Sequence, residues 1–165
     1  MHYIHLSGFV HQDIHLGNVF TSLLKDELVQ SNSTALTFKL GDLGITKLFG
    51  EIDAQNTILA EWMLPPEYFN QGEFGPLDHR MDIYHCALLL LAVILGKEIT
   101  FTKEEILAGV PKQQALQLAA PYNFALEKAL RRHVAYRTAS AMELWRDLNS
   151  TANTAAIPAL PEAQT

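Results

Sequence analysis

The pattern of hydrophobic and polar positions predicts a mostly helical chain with one β-hairpin near its beginning. Residues 81–95 are apolar on nearly all sides, which is typical of a helix buried at the centre of a domain. Gly8 is placed to stop a short first helix. The other predicted helices are shorter than the central one. Helices are predicted over residues 1–7, 103–107, 111–118, 123–132 and 141–148.

Two strand-like runs, residues 19–24 and 36–40, form the predicted hairpin, and the polar residues 25–35 form its exposed tip. A polar loop, residues 11–18 (HQDIHLGN), precedes the first strand. A second loop, residues 41–44 (GDLG), follows the second strand. The two loops are therefore expected to be neighbours at one end of the hairpin.

Two helix starts are marked by capping boxes, in which a hydroxyl residue is followed three positions later by a glutamate. These pairs are Thr102 with Glu105 and Ser140 with Glu143. By contrast, residues 42–67 have little periodicity, so an irregular segment is expected there.

Length and composition describe one ordinary globular domain. The chain has 165 residues, of which 48% are hydrophobic and 18% charged, and its net charge is −6. Residues 1–149 are assigned to the domain, and residues 150–165, which lack periodicity, to a disordered tail. Nucleic acid is not an expected partner, because 12 basic residues against 18 acidic ones do not supply the positive charge that a phosphate backbone requires.

No targeting or membrane-spanning segment is visible. The first residues lack the basic start and the sustained apolar stretch of a secretion signal. The longest apolar run, residues 86–95, spans about 15 Å as a helix, against about 30 Å of hydrocarbon in a bilayer. The single cysteine, Cys86, lies in this run and excludes a disulfide within the chain. A cytoplasmic location without a membrane partner is therefore expected.

Three polar side chains carry the candidate chemistry. Asp13 can hold a hydroxyl group and accept its proton, and Asn18 offers a carbonyl oxygen to a divalent cation. An Asp and an Asn in a polar loop are equally typical of turns and helix caps. Asp42 adds a second carboxylate from the neighbouring loop, between two glycines. Two acids and an amide on adjacent loops are suited to binding a metal ion and a phosphate group.

These motifs resemble those of the protein kinases. HQDIHLGN is similar to the catalytic loop H-R-D-L-x-x-x-N, and DLG at residues 42–44 is similar to the metal-binding D-F-G. PPE at residues 65–67 resembles the A-P-E segment, Asp82 lies at the start of the long apolar helix, and Arg137 closes the pattern. The five features occur in the family's order and cover the chain to about residue 148. By this resemblance, the chain is identified as a member of the eukaryotic-like serine/threonine protein kinases.

The resemblance implies the C-terminal lobe of a kinase, mainly α-helical, with a short β-hairpin carrying the catalytic and metal loops. The N-terminal lobe is expected to be absent, because no Gly-rich loop, Val-Ala-x-Lys strand or partner Glu helix fits before residue 11. The isolated lobe is expected to bind ATP weakly and to be inactive or nearly so. The apolar face that would meet the other lobe is expected to promote self-association.

The resemblance also implies roles for individual residues. Asp13 is the expected catalytic base, with His15 close to the transferred phosphate, and Asn18 and Asp42 are the expected ligands of the Mg²⁺ that accompanies ATP. The expected partner is a protein substrate that presents a serine or threonine hydroxyl. The expected supporting residues are His11, Leu43 in place of the usual Phe, Gly44, Glu67, Asp82 and Arg137.

Two of these supporting contacts are specific. Glu67 is expected to form a buried ion pair with Arg137, although the spacing also allows Arg132 in that role. Asp82 is expected to accept backbone N–H groups at the start of the catalytic loop. The alternative for Asp82 is that it only caps its own helix.

Some positions depart from the family's pattern. Gln12 stands where many kinases have an arginine that receives a phosphate, and His15 stands where serine/threonine kinases usually have a lysine. Between residues 42 and 67 only Thr46 and Thr57 carry hydroxyl groups. Activation by phosphorylation of that segment is therefore not expected.

Other functions remain open. Residues 13–18 (DIHLGN) also resemble the D-x-H-x-x-N loop of aminoglycoside and choline phosphotransferases, which act on small molecules. A catalytically dead, kinase-like binding module, or a gene remnant without selected function, would account for the missing lobe. A zinc site at His11 and His15 is a further alternative, which their placement on a loop disfavours.

Overall fold

The computed structural model of the chain describes residues 1–25, 34–54, 59–120 and 122–150. Its longer helices are α4 (Arg80–Leu95), α7 (Tyr122–Ala129) and α8 (Ala141–Ser150). Its shorter helices are α1 (His2–Leu6), α2 (Pro66–Phe69), α3 (Gln71–Phe74), α5 (Lys103–Ala108) and α6 (Val110–Leu116). The strands are β1 (Phe9–Val10), β2 (Val19–Lys25), β3 (Thr34–Leu40) and β4 (Lys47–Leu48). Single 3₁₀ turns lie at Leu16–Asn18, Glu61–Met63 and Val134–Tyr136.

The predicted hairpin is present as the antiparallel pair β2–β3. Val19 lies opposite Leu40 in its register. Just beyond this pair, the N–H of Gly41 donates to the carbonyl of Asn18 at 2.9 Å. The register therefore brings the ends of the two polar loops into contact, as the sequence predicts.

A second, smaller sheet was not predicted. Phe9 pairs with Leu48 and Val10 pairs with Lys47 between β1 and β4. The N–H of Phe49 extends this contact by donating to the carbonyl of Gly8 at 2.8 Å. Two-residue strands contain too few positions to show an alternating pattern, so only the fold reveals this pairing. It holds the segment that follows the loop of residues 41–44 against the start of the chain.

Helix α4 lies at the centre of the core, as its apolar sequence predicts. The core cluster combines α4 with side chains from α5, α6, α7 and α8. Its buried members are Ile83, Tyr84, Ala87, Leu88, Leu91, Phe101, Ile106, Ala115, Leu126, Ala129, Leu130 and Leu144. The last turn of α4 differs, because Val93 is 56% exposed and Leu95 is 37% exposed. Apolar sequence alone thus overestimates burial at this end of the helix.

Helix α7 ends at Ala129, three residues before the predicted end at Arg132. The N–H of Leu130 still donates to the carbonyl of Leu126 at 2.9 Å, but the N–H of Arg131 donates to the carbonyl of Lys128, three residues back, at 3.4 Å. The chain therefore tightens and leaves the helix before Arg132. Beyond this end, the carbonyls of Arg131 and Arg132 accept hydrogen bonds from the guanidinium of Arg137, at 3.1 and 3.2 Å.

The two predicted capping boxes have different outcomes. At α5 the box is complete, since Thr102 Oγ1 accepts the N–H of Glu105 and Glu105 accepts the N–H of Thr102. At α8 only half of it forms. Ser140 Oγ accepts the N–H of Glu143 at 3.1 Å, but the Glu143 carboxylate accepts the N–H of Ala139 instead of that of Ser140. The reciprocal contact has moved by one residue.

Parts of two predictions lie outside the described residues. Most of the hairpin tip, residues 26–33, belongs to these parts, as do residues 151–165 of the predicted tail. Ser150, the first residue assigned to the tail, belongs to α8. Within the described ranges, no helix has the length and apolar character needed to cross a membrane.

Candidate active site

The carboxylate of Asp82 fixes the loop of residues 11–18 to helix α4. Asp82 lies in the first turn of α4 and is completely buried. Its Oδ2 accepts the N–H of His11 and its Oδ1 accepts the N–H of Gln12, each at 2.8 Å. The expected contact between Asp82 and the loop backbone is therefore present, and the side chain does not act merely as a cap of its own helix.

A third group reaches the same carboxylate, and no pattern in the sequence predicts it. Nε2 of His5 lies 2.8 Å from Oδ2 of Asp82. Because a carboxylate only accepts, Nε2 is the nitrogen that carries the proton. The ring of His5 also packs edge-on against Phe49 and His79, with centroid distances of 6.4 and 5.1 Å. A histidine on a five-residue helix has no sequence signal that names such distant partners.

Gln12 connects the loop to two other segments. Its backbone has φ of 71°, in the left-handed region that residues other than glycine rarely adopt. Its side-chain Nε2 donates to the carbonyl of Ile45 at 2.8 Å, and the hydroxyl of Tyr68 donates to its Oε1 at 3.4 Å. In the sequence, Gln12 marks only the loss of an arginine. In the structure, its side chain connects the loop to Ile45 and Tyr68.

His11 joins the two polar loops to each other. Its Nδ1 accepts the N–H of Asp13 at 3.3 Å, and its Nε2 donates to the carbonyl of Gly41 at 3.1 Å. Both ring nitrogens are thus engaged, so neither is left to ligate zinc together with His15. In the described part of the chain, no group of three or more His, Cys, Asp or Glu side chains is placed to hold a metal.

The carboxylate of Asp13 has a partner at each oxygen and is still accessible. Oδ2 accepts the side-chain amide of Asn18 at 2.9 Å, and Oδ1 lies 3.4 Å from Nε2 of His15. The N–H of Gly17 donates to Nδ1 of His15 at 3.1 Å. The neutral ring therefore carries its proton on Nε2, the nitrogen that faces Asp13. About a quarter of the Asp13 side chain is exposed, which leaves room for a hydroxyl group to approach it.

Asn18 and Asp42 provide a donor set that fits magnesium. The amide nitrogen of Asn18 donates to the backbone carbonyl and to the carboxylate of Asp13, both at 2.9 Å, so its carbonyl oxygen is the end that can bind a cation. Asp42 has φ of 60°, and its Oδ1 accepts the N–H of Gly44 at 3.0 Å. Mg²⁺ prefers oxygen ligands and takes one or two carboxylates together with water and substrate phosphates. These two side chains match that preference.

The packing role expected of Leu43 is not present. The side chain is 58% exposed and belongs to no core cluster in the described residues. Its position follows from the tight turn around it, in which the N–H of Thr46 donates to the Leu43 carbonyl at 3.1 Å. This turn, together with the left-handed backbone of Asp42, leaves the leucine at the surface.

Glu67 and Arg137 form the expected buried ion pair. Both side chains are completely buried, and the pair is bidentate, with Nη1 to Oε1 at 2.5 Å and Nη2 to Oε2 at 2.7 Å. Arg137 also donates to the carbonyl of Arg80 at 3.2 Å and lies over the ring of Tyr84 at 5.0 Å. Arg132, the alternative partner, instead donates to the carbonyl of Leu107 at 2.6 Å.

A pocket of about 300 Å³ opens beside the loop of residues 11–18. Its lining is mainly apolar and comes from the loop, from the turn before Pro65 and from α4 and the segment that follows it. The lining residues are Ile14, His15, Leu16, Gly17, Trp62, Met63, His85, Leu88, Leu89, Ala92, Glu98, Ile99 and Thr100. His85 is buried, and burial lowers its pKa to about 4, so its ring is neutral at pH 7.

Comparison with known proteins agrees with the arrangement of these loops. The model of the family described as "Protein kinase domain" matches residues 1–151, which is most of the chain. The match includes every residue discussed in this site. No protein with curated annotation matches the sequence significantly.

The Glu67–Arg137 pair makes a prediction about stability. Arg137→Met is expected to lower the free energy of unfolding by about 3–5 kcal/mol, because it leaves the Glu67 carboxylate buried without a partner. Urea denaturation measures this change. The double variant Glu67→Leu with Arg137→Met is expected to recover most of the loss, since it buries no unpaired charge.

The matched control is Arg131→Met, which breaks a pair with Glu127 whose arginine is 40% exposed. Exposed pairs contribute about 0–1 kcal/mol, so little change is expected. A double variant no more stable than Arg137→Met would show that the loss comes from the backbone carbonyls and the packing around the guanidinium, and not from the unpaired carboxylate.

Proposed function

The chain belongs to the protein kinase domain family, and we propose that its loops at residues 11–18 and 41–44 transfer a phosphoryl group from ATP to a serine or threonine hydroxyl of a protein. One observation carries this proposal. The Asp13 carboxylate is held by Asn18 and faces His15, yet is still accessible, and it lies on a loop adjacent to Asp42. Phosphoryl transfer requires little more of a protein than such positioning and charge neutralisation.

Asp13 acts on the acceptor hydroxyl. A carboxylate within hydrogen-bond reach orients the hydroxyl oxygen toward the phosphorus and takes the proton as the new bond forms. The bond from Asn18 to Oδ2 keeps the carboxylate in one orientation. Nε2 of His15 lies 3.4 Å from Oδ1, on the other oxygen of the same group. It adds no fixed positive charge of the kind that a lysine supplies at this position.

Asn18 and Asp42 are the proposed ligands of magnesium, and ATP is the proposed phosphoryl donor. When bound, Mg²⁺–ATP supplies the transferable phosphoryl group and the cation that neutralises its charge. The chain's contribution is to hold two oxygen donors on neighbouring loops. Gly44 contributes its N–H to the Asp42 carboxylate and so orients one of these donors.

We propose that the described elements form the larger, helical lobe of a kinase, because the buried central helix α4 holds the loop of residues 11–18 through Asp82. The apolar pocket beside residues 14–17 is suited to an apolar side chain of the protein substrate. We propose as an alternative that the chain is a kinase-like binding module with little activity, because Gln12 and His15 stand where the family often has charged residues.

One observation favours a second candidate. The side chains of His15 and Asp13 are 3.4 Å apart, and both residues belong to the D-x-H-x-x-N pattern of small-molecule phosphotransferases. Glu67, Asp82 and Arg137 follow the protein kinase pattern instead. Protein hydroxyls are therefore the first proposal, and small alcohols such as choline or an aminoglycoside are the second.

Asp13→Asn tests the proposed activity. The variant is made in a longer product, in which a glycine-rich loop and a Val-Ala-x-Lys segment, encoded upstream and in frame, precede these residues. Its rate of phosphoryl transfer is expected to fall at least about 100-fold. The measurement is incorporation of phosphate from labelled ATP into a mixed protein substrate, with choline and kanamycin assayed in parallel. The matched control is Glu51→Gln, which removes an exposed carboxylate that follows the loop of residues 41–44 in the sequence. It is expected to keep full activity. Unchanged incorporation in Asp13→Asn would exclude the proposal.

Nucleotide affinity is a separate prediction for the 165-residue chain. We expect calorimetry with Mg²⁺–ATP to give a dissociation constant weaker than about 100 µM, because two cation ligands alone supply few contacts to the phosphates. Asp42→Asn is expected to weaken what binding there is. A low-micromolar constant would contradict this expectation and require a different phosphate clamp within the chain.

We also propose that the chain self-associates through the apolar face of the hairpin. Thr21, Leu23, Leu36 and Phe38 face one side of the β2–β3 ribbon, and the last three are 54–69% exposed. Sedimentation velocity is expected to show reversible oligomers that grow with concentration, and Phe38→Lys is expected to reduce them. The control Phe124→Lys changes a phenylalanine that is 65% exposed on α7 and should have no effect. A monomer at all concentrations would refute this proposal.

A further inference from the structure

A second pocket, of about 260 Å³, is lined almost entirely by basic side chains. The lining residues are Lys112, Arg131, Arg132, His133 and Tyr136, and together they are called the basic pocket. They come from α6 and from the segment after α7, and they include none of the residues placed in the candidate active site. We propose that the basic pocket binds a phosphate group. Three cations in one concave site are unusual in a chain whose net charge is −6.

The charges in the basic pocket are only partly compensated. Glu127 accepts two hydrogen bonds from Arg131, at 3.0 and 3.2 Å, and its carboxylate also lies 3.2 Å from Nζ of Lys112. These cations hold the pKa of Glu127 below its usual value against the opposing effect of burial. One carboxylate thus serves two cations. Arg132 makes no ion pair with any carboxylate in the described ranges. The pocket therefore has an excess of positive charge.

Arg132 is held in place by contacts that do not neutralise it. Its Nη1 donates to the carbonyl of Leu107 at 2.6 Å, and its guanidinium lies over the ring of Phe74 at 5.8 Å. Its aliphatic stem crosses Gly109, where an added Cβ would lie 3.4 Å from Cδ of Arg132. A guanidinium has five N–H donors, and Leu107 takes one of them. An ordered arginine with donors to spare is suited to an incoming anion.

The backbone behind the pocket is also fixed. Arg137 donates to the carbonyls of both Arg131 and Arg132, which fixes the backbone from which the two side chains extend. The ring of His133 packs between those of Phe74 and Tyr136, with centroid distances of 5.5 and 6.1 Å. Little ordering is thus required when a ligand binds, which favours affinity.

Phosphate is the anion that matches this arrangement best. A phosphate monoester carries between one and two negative charges at pH 7 and three acceptor oxygens, so it can engage two guanidinium groups and an ammonium group together. A carboxylate carries one charge and two acceptor oxygens. Free phosphate and a phosphorylated serine or threonine side chain share the required chemistry.

The test is calorimetric titration of the 165-residue protein with N-acetyl-phosphoserine amide, with inorganic phosphate and with N-acetyl-serine amide. Both phosphate-bearing probes are expected to bind, and the unphosphorylated one is not. Tighter binding of the phosphoserine probe than of inorganic phosphate would identify a phosphorylated protein segment as the ligand. Equal affinity would identify the free ion. Absence of binding by both would overturn the proposal.

Variants locate the binding to this pocket. Arg132→Gln is expected to weaken it about tenfold and Lys112→Gln about threefold, because each removes one charge-assisted contact. Lys97→Gln removes an exposed positive charge elsewhere and is expected to have no effect. Lys112 is 39% exposed, so its variant gives a result even if loss of the Arg132–Leu107 contact disturbs folding. Equal affinity in Lys112→Gln and Lys97→Gln would also overturn the proposal. None of these titrations depends on phosphoryl transfer at Asp13.

Discussion

The carboxylate of Asp82 is the constraint on which the candidate active site depends. Three donors from two segments converge on it: the N–H groups of His11 and Gln12 and the ring of His5. A buried carboxylate without such donors would be strongly unfavourable, and the N-terminus of α4 adds a favourable dipole. The same bonds hold Gln12 in a left-handed conformation that its own backbone disfavours. Burial of one acid therefore orders the loop that presents Asp13.

Arg137 plays a comparable part at the start of α4. Its guanidinium binds the Glu67 carboxylate, the carbonyl that begins α4 at Arg80, and the two carbonyls after α7. A buried ion pair contributes little net stability by itself, but removing one partner is costly. The main role of the pair is to fix how three segments meet: the one that carries Glu67, the start of α4 and the residues after α7. The backbone of Arg131 and Arg132, on one side of the basic pocket, is held by the same guanidinium.

The sequence predicts those features in which a local signal has only one physical resolution. An acid at the start of an otherwise apolar helix needs hydrogen-bond donors, and the order of the kinase-like motifs indicates which residues supply them. The Asp82 contacts and the Glu67–Arg137 pair were therefore predictable. The hairpin follows from two strand-like runs that a polar stretch separates. In contrast, the β1–β4 pairing and the His5 contact depend on how distant segments meet. No pattern within a few residues of each position contains that information.

Neutral hydrogen bonds occupy positions where the kinase family often uses charge. Gln12 reaches the Ile45 carbonyl and the Tyr68 hydroxyl, where an arginine would call for a phosphate as its partner. His15 presents one N–H to Asp13 where a lysine would bring a full positive charge. A charged contact of this kind forms only when the counter-charge is added, whereas an amide–carbonyl bond is present from the start. The turn that follows Asp42 is therefore joined to the loop of residues 11–18 by a hydrogen bond at Ile45 that needs no added charge.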